Sequence, residues 1–246
     1  MAGSAGLGVP GLVMLQRATI AEVDFSRAAF DLLAPSDCVF IDCDFRRATV
    51  DRRLQPLFRA RRRNVFRGCR FVGADLRGTY PGVSRFEACV FDGARLDGWN
   101  AQTAEFVDCR FAGRIAHVRF YGRPWGPGAA ALVPARTVNE FRGNDFRDGD
   151  LVDVAFLMGI DVSRQLWPAS DDYVRLDRIH QRLTRGRAEM IRWKDLEARG
   201  EALEMVQAMS FRYMQQNDVV ARRVDPEAAT SPDVQRRVWE TLSSVL

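Results

Sequence analysis

Between Phe66 and Phe111 a bulky apolar residue returns every five positions, and the whole pattern returns after twenty. Phe66-Arg-Gly-Cys69-Arg-Phe71-Val-Gly-Ala74-Asp-Leu76 is followed by Phe86-Glu-Ala-Cys89-Val-Phe91-Asp-Gly-Ala94-Arg-Leu96 and then by Phe106-Val-Asp-Cys109-Arg-Phe111. Neither the 3.6-residue period of a helix nor the 2-residue period of an ordinary strand fits this spacing. A chain that repeats at twenty residues is most simply a solenoid, each coil burying its large side chains against those of the coils above and below. The residues expected to fill that core are Phe66, Cys69, Phe71, Leu76, Phe86, Cys89, Phe91, Leu96, Phe106, Cys109, Phe111, Phe141, Phe146 and Leu151.

The same phase is present at Ile20, Phe25 and Phe30, slips over Leu32 to Asp37, and resumes at Phe40, Phe45 and Val50. Ala74-Asp75-Leu76, Asn144-Asp145-Phe146, Cys43-Asp44-Phe45 and Val23-Asp24-Phe25 carry one unit almost unaltered. This resembles the pentapeptide-repeat family, whose unit is roughly Ala-(Asp/Asn)-(Leu/Phe)-x-x. The resemblance spans about residues 18–162 and implies a mostly β protein: a right-handed, four-sided parallel β-helix with four units per coil. It implies a fold more firmly than an activity.

Residues 1–17 read as a loose N-terminal tail or cap, residues 18–168 as the solenoid, and residues 169–246 as a small helical unit that caps the last coil or forms a dimer. Tyr173, Leu176, Ile179 and Leu183 follow helical spacing, as do Leu203, Val206, Met209 and Tyr213. Ser231, Pro232 and Asp233 read as the start of the last helix. A homodimer through these helices is what some members of the family form.

Two insertions break the solenoid, near 51–65 and 117–139. The first carries Arg52, Arg53, Arg59, Arg61, Arg62 and Arg63 against Asp51, and reads either as a solvated loop or as a contact for phosphate, nucleic acid or an acidic protein. The second carries Tyr121 and Trp125 among three prolines and three glycines, residues that forbid a regular ladder. Its aromatics either anchor a partner or fold back on the wall.

Charge bears on one activity known in the family, the binding of type II topoisomerases by an acidic rod that resembles DNA, which confers protection against topoisomerase inhibitors and so antibiotic resistance. Residues 1–169 carry 23 arginines against 19 acids, and residues 170–246 carry 13 basic against 13 acidic residues, so the excess charge is basic and lies in the solenoid. Outward positions twenty apart read Arg67 over Glu87, Asp75 over Arg95 and Arg77 over Asp97. Columns that alternate in sign support a stack but cancel the field that a DNA mimic needs.

No catalytic constellation is found. His117 and His180 are the two histidines, and neither has a nucleophile placed beside it by the repeat. The five cysteines each stand two residues before a phenylalanine, where a small side chain points inward, and this spacing favours core packing over a disulfide or a metal site. No cofactor is expected. No stretch approaches the roughly 18–20 apolar residues of a membrane helix, and the N-terminus lacks a basic start and a cleavage site, so a cytoplasmic protein is expected. The sequence leads to a non-enzymatic scaffold that binds a protein partner, with a topoisomerase-directed role and nucleic-acid binding through the arginine loop as the alternatives.

Overall fold

A computed structural model describes residues 12–50, 62–126 and 128–246. It is mostly strands, with three helices gathered at the C-terminus. Apart from one antiparallel hairpin, the strands pair in parallel ladders, grouped by the positions they occupy along the repeat. The longest joins Thr19–Ala21, Val39–Ile41, Asn64–Arg67, Ser84–Glu87, Glu105–Val107 and Phe141–Arg142, and places Ile20, Phe40, Phe66, Phe86, Phe106 and Phe141 in register. A second ladder is made of single bridges from Asp24 through Asp44, Arg70, Val90, Arg110 and Asp145 to Leu166. The third runs from Ala29–Phe30 through Thr49–Val50 to Asp75 and Arg95, and farther along the chain Gly113–Ala116 pairs with Gly149–Val152. The fourth holds Leu12–Gln16 on Leu32–Ser36, and later Asn100–Ala101, Arg119–Tyr121 and Ala155–Leu157.

The five-residue period has a backbone cause as well as a side-chain one. Left-handed residues recur between the short strands, at Arg17, Glu22 and Arg27, at Asp37, Asp42 and Arg47, and at Gly68, Gly73 and Gly78. One such residue per five turns the chain into the next ladder.

Two columns of aromatic rings fill the interior. Phe25, Phe45, Phe71, Phe91, Phe111 and Phe146 stack with centroids 4.8 to 5.0 Å apart, and Trp167 closes the column on Phe146 at 5.2 Å. Phe40, Phe66, Phe86 and Phe106 make the second column at 4.8 to 5.1 Å. These separations are the spacing of hydrogen-bonded strands. Across the interior the columns meet edge to face, as in Phe66 against Phe71 and Phe86 against Phe91, an arrangement that suits the ring quadrupoles. All five cysteines are buried with free thiols. Those of Cys43, Cys69, Cys89 and Cys109 donate to the carbonyls of Ile20, Phe40, Phe66 and Phe86 on the preceding coil. Burial pushes the Cys89 thiol well above its ordinary value.

The interruptions rejoin the wall through buried asparagines. Asn64 spans a register step of 26 residues, accepting from Cys38 N–H and donating to Pro35 O at 3.0 Å each. Asn144 takes the place of a column cysteine across a step of 35, accepting from Cys109 N–H and donating to Phe106 O. Each side chain supplies the donor and acceptor that a buried backbone needs where the regular ladder has been interrupted.

Three expectations are corrected. Leu12–Gln16 is not loose tail but a strand paired with Leu32–Ser36. Leu32 to Asp37 does not slip phase: Pro35 holds the inward place and is buried, hidden from a search for large apolar residues by its ring. Tyr173–Leu176 is a strand, antiparallel to Val219–Arg222, rather than the first turn of a helix; spacing of three and four between a few apolar residues is also met by an alternating strand followed by a helix.

The helices are α1, Ile179–Met190, α2, Leu196–Arg212, and α3, Pro232–Ser244. Asp195 caps α2 through the N–H groups of Glu197 and Ala198. Ser231 stands at the cap position of α3, but its hydroxyl makes no cap bond, and its own N–H donates to Glu201 at 2.6 Å. The three helices and the hairpin enclose a second core around Leu183, Val206, Val238, Trp239 and Leu242 that also takes in Ala155 and Leu157 of the solenoid wall. Gln216 fixes the junction, donating to Ile160 O and accepting from Gly159 N–H. Among the described residues no helix is long and apolar enough to cross a membrane.

Candidate functional site

The outer wall is neutralised locally. Arg67 meets Glu87 at 2.8 Å, and Arg95 meets Asp75 at 3.5 Å. Arg77 turns to Asp75 of its own coil at 2.6 Å, instead of making the column pair with Asp97. Its hydrogen bond holds the Asp75 carboxyl down to about 2. Asp44 takes Arg46 and Arg70, and Arg110 takes Asp92, Asp145 and Asp148.

The described end of the first insertion meets the second. Arg62, where the first insertion returns to the wall, bridges Val133 of the second in parallel. Arg62 also faces Asp37 at 3.6 Å. Arg63 reaches the buried Glu105 at 3.1 Å, and Glu105 is shared with Arg85 at 3.3 Å and Arg136 at 3.9 Å. Arg85 is held further by Glu87 and Glu140. Arg52, Arg53, Arg59 and Arg61 lie outside the described residues.

Residues 122–126 and 128–139 leave the wall and are tied to it at both ends. Gly122 O accepts from Asn139 N–H at 2.9 Å, and Trp125 N–H donates to Gln102 O at 3.1 Å. The buried Asn139 amide donates to both Gln102 O and Tyr121 O, and Arg136 binds Thr103 O and Asn139. Burial lowers the pKa of Arg136 from its ordinary value. A side chain at Gly122 would drive its Cβ to 2.7 Å from Ile160 N, so only glycine lets the loop leave this close to the last coil.

On this fixed loop Trp125 is 47% exposed, Val133 47% and Val138 60%. Tyr121 does not join them. It is half-buried against the second core, where burial raises its hydroxyl pKa. Sequence reasoning singled out Trp125 and the arginines but missed Val133, Val138 and the Glu105–Arg136 anchor. Asn139, two residues before Phe141 in the five-residue phase, is the one signal that pointed to where the loop is tied down.

No family model and no curated protein matches the chain. Solved structures similar to it include two forms of QnrB1, described as a plasmid-mediated fluoroquinolone resistance protein. These match over 63% of this chain and over 82% and 78% of their own, at 16% and 17% identity with TM-scores of 0.23 and 0.24. HetL, described as a pentapeptide repeat protein involved in heterocyst differentiation regulation in the cyanobacterium Nostoc, matches over 63% of this chain and 81% of its own, at 13% identity and a TM-score of 0.19. At such scores the superpositions carry no argument, and the parallel-coil reading of this chain rests on its own strand register and stacked phenylalanines.

Proposed function

We propose that this pentapeptide-repeat chain is a non-enzymatic interaction protein whose solenoid presents the paired insertions to a protein partner. The observation that carries the reading is the convergence of the two insertions at Arg62 and Val133, beside a loop whose backbone is fixed while Trp125 and Val138 stay exposed. Exposed aromatic and apolar side chains on a pre-ordered loop lose little entropy on binding and are typical anchors of protein interfaces. A right-handed, four-sided coil belongs to the same reading. Left-handed residues every five positions within a twenty-residue repeat support the four sides, and the strong right-handed preference of parallel crossovers supports the hand.

The paired wall charges weigh against an acidic, DNA-like rod, and the pairing of Arg62 and Arg63 weighs against a purely electrostatic nucleic-acid contact. Affinity capture with the wild type and with a Trp125→Ala/Val138→Ser double variant tests the proposal. Retention of a partner by the wild type alone, with equal thermal stability of the two proteins, is expected. Identical retention by both would overturn it. DNA gyrase supercoiling, titrated with the protein in the presence and absence of a fluoroquinolone, tests the resistance reading that the QnrB1 description suggests; inhibition or rescue would identify the partner as a type II topoisomerase.

A further inference from the structure

A cavity of about 410 Å³ lies between the solenoid wall and the C-terminal unit, away from the paired insertions and independent of the partner reading. Its floor is apolar and buried, formed by Leu151 and Val154 of the wall, Met209 and Tyr213 at the end of α2, Val220 of the hairpin, and Trp239 of α3. Its rim is charged and reaches solvent: His117, Arg212 and Glu227 have side chains 43%, 40% and 40% exposed. An apolar floor beneath a charged rim fits an amphiphile lying with its polar end outward.

The rim selects the sign of that polar end. Asp153 has no unmet demand, since Arg119 reaches it at 2.5 Å, Arg212 at 3.2 Å and His117 at 3.3 Å. Burial raises its pKa, but the hydrogen bond from Arg119 and the charges of Arg119 and Arg212 outweigh this, and the carboxyl stays below its ordinary value. Glu227 takes Arg114 at 2.5 Å and His117 at 2.8 Å. Asp225 accepts the backbone N–H groups of Asp153 and Glu227 at 2.9 Å each. Asp153 and Glu227 are therefore ion-paired, and Asp225 is held by backbone N–H groups.

Arg212 differs. A guanidinium has five donors in a planar fork; among the described residues that of Arg212 makes one ion pair, with Asp153 Oδ1, and a hydrogen bond to the Tyr213 hydroxyl, which leaves donors over. Asp153 would keep Arg119 and His117 if Arg212 turned to a ligand. An incoming ammonium would compete with Arg119, Arg212, Arg114 and His117 for Asp153 and Glu227, or with two backbone N–H groups for Asp225, whereas a carboxylate would meet the part of the Arg212 fork that Asp153 leaves over. Met205 and Met209 give the wall the adaptable, polarisable surface that suits an alkyl chain.

We propose that this cavity binds a small amphiphilic carboxylic acid, with its carboxylate on Arg212 and its hydrocarbon body against Met209, Val220 and Trp239. The test uses octanoate, octylamine and 1-octanol as probes, titrated into the full chain by calorimetry with saturation-transfer NMR. Octanoate is expected to bind saturably and at least about tenfold more tightly than octylamine. Arg212→Gln should weaken octanoate by about tenfold through loss of the charge-assisted contact, leaving 1-octanol unchanged. Ala221→Phe, which fills the cavity, should abolish binding of octanoate and 1-octanol alike, and Ala208→Trp at the exposed rim serves if that variant fails to fold. Equal affinity for octanoate and octylamine, an unchanged octanoate affinity in Arg212→Gln, or no saturable binding of octanoate would each overturn the proposal.

Discussion

From Phe40 and Phe45 to Phe106 and Phe111 the described phenylalanines stack on one another coil by coil, whereas the C-terminal core mixes leucine, valine, methionine, tyrosine and tryptophan without a repeat. Phe91 lies between Phe71 and Phe111 at 4.9 and 5.0 Å. Trp239 by contrast sits in a core assembled from two solenoid strands, a hairpin and three helices. The first kind of core is a local rule applied many times, and the second is a single solution to one packing problem. In a solenoid, stability is close to a sum over neighbouring coils, so a defect in one coil is felt by those on either side of it. At the junction, by contrast, a defect should separate two bodies that otherwise stand together.

The largest effect expected is that of Phe91→Ala, which leaves a cavity in the middle of a fully buried column. A loss of about 3–5 kcal/mol in urea unfolding is expected, while Phe211→Ala, at a side chain 72% exposed on α2, should change stability by less than about 0.5 kcal/mol. Comparable losses at the two sites would break the contrast between column and surface. Asn144→Ala comes next. It strips partners from the buried Cys109 N–H and Phe106 O and should cost about 2–3 kcal/mol, read by the same denaturation; a neutral result would mean that the rejoining asparagines are not what closes the interrupted coils.

Gln216→Ala sharpens the comparison at the junction. Its amide ties Ile160 O and Gly159 N–H to the C-terminal unit, and about 1–2 kcal/mol should be lost. Hydrogen exchange should locate that loss in α1 to α3, with the Phe66 to Phe111 coils still protected. Uniform loss of protection would show instead that the two cores unfold as one.

The smallest effect is electrostatic. Arg77 holds Asp75 down to about 2, below the roughly 3.9 of an unfolded aspartate. The contribution is therefore complete above about pH 4 and is lost as the pH falls toward 2. Screening at this surface pair limits it to about 1 kcal/mol or less. Wild type should exceed Asp75→Asn in stability by that amount at pH 6 and match it near pH 2, and an advantage that persists at pH 2 would contradict the pairing.

The contrast also explains what could be read from the sequence. Phe66, Phe86 and Phe106 are a period, and a period is visible without knowing the fold. Pro35 keeps that period but lacks the expected bulk, so its strand reads as a slip. Tyr173–Leu176 reads as a helix start because four residues do not separate a period of two from one of 3.6. The surface at Arg62 and Val133 joins segments about seventy residues apart, and the cavity joins His117 to Arg212 and Trp239. Neither leaves a periodic trace, since such contacts are set by where the coils end and not by any local pattern.

The most direct measurement is photo-crosslinking in cells with a benzoylphenylalanine placed at position 125 in one protein and at position 95, on the charge-paired wall, in another. A discrete product from position 125, absent from position 95 and lost with Val138→Ser, is the expected result. A product from position 95 with none from position 125 would contradict an interaction surface built from the two insertions.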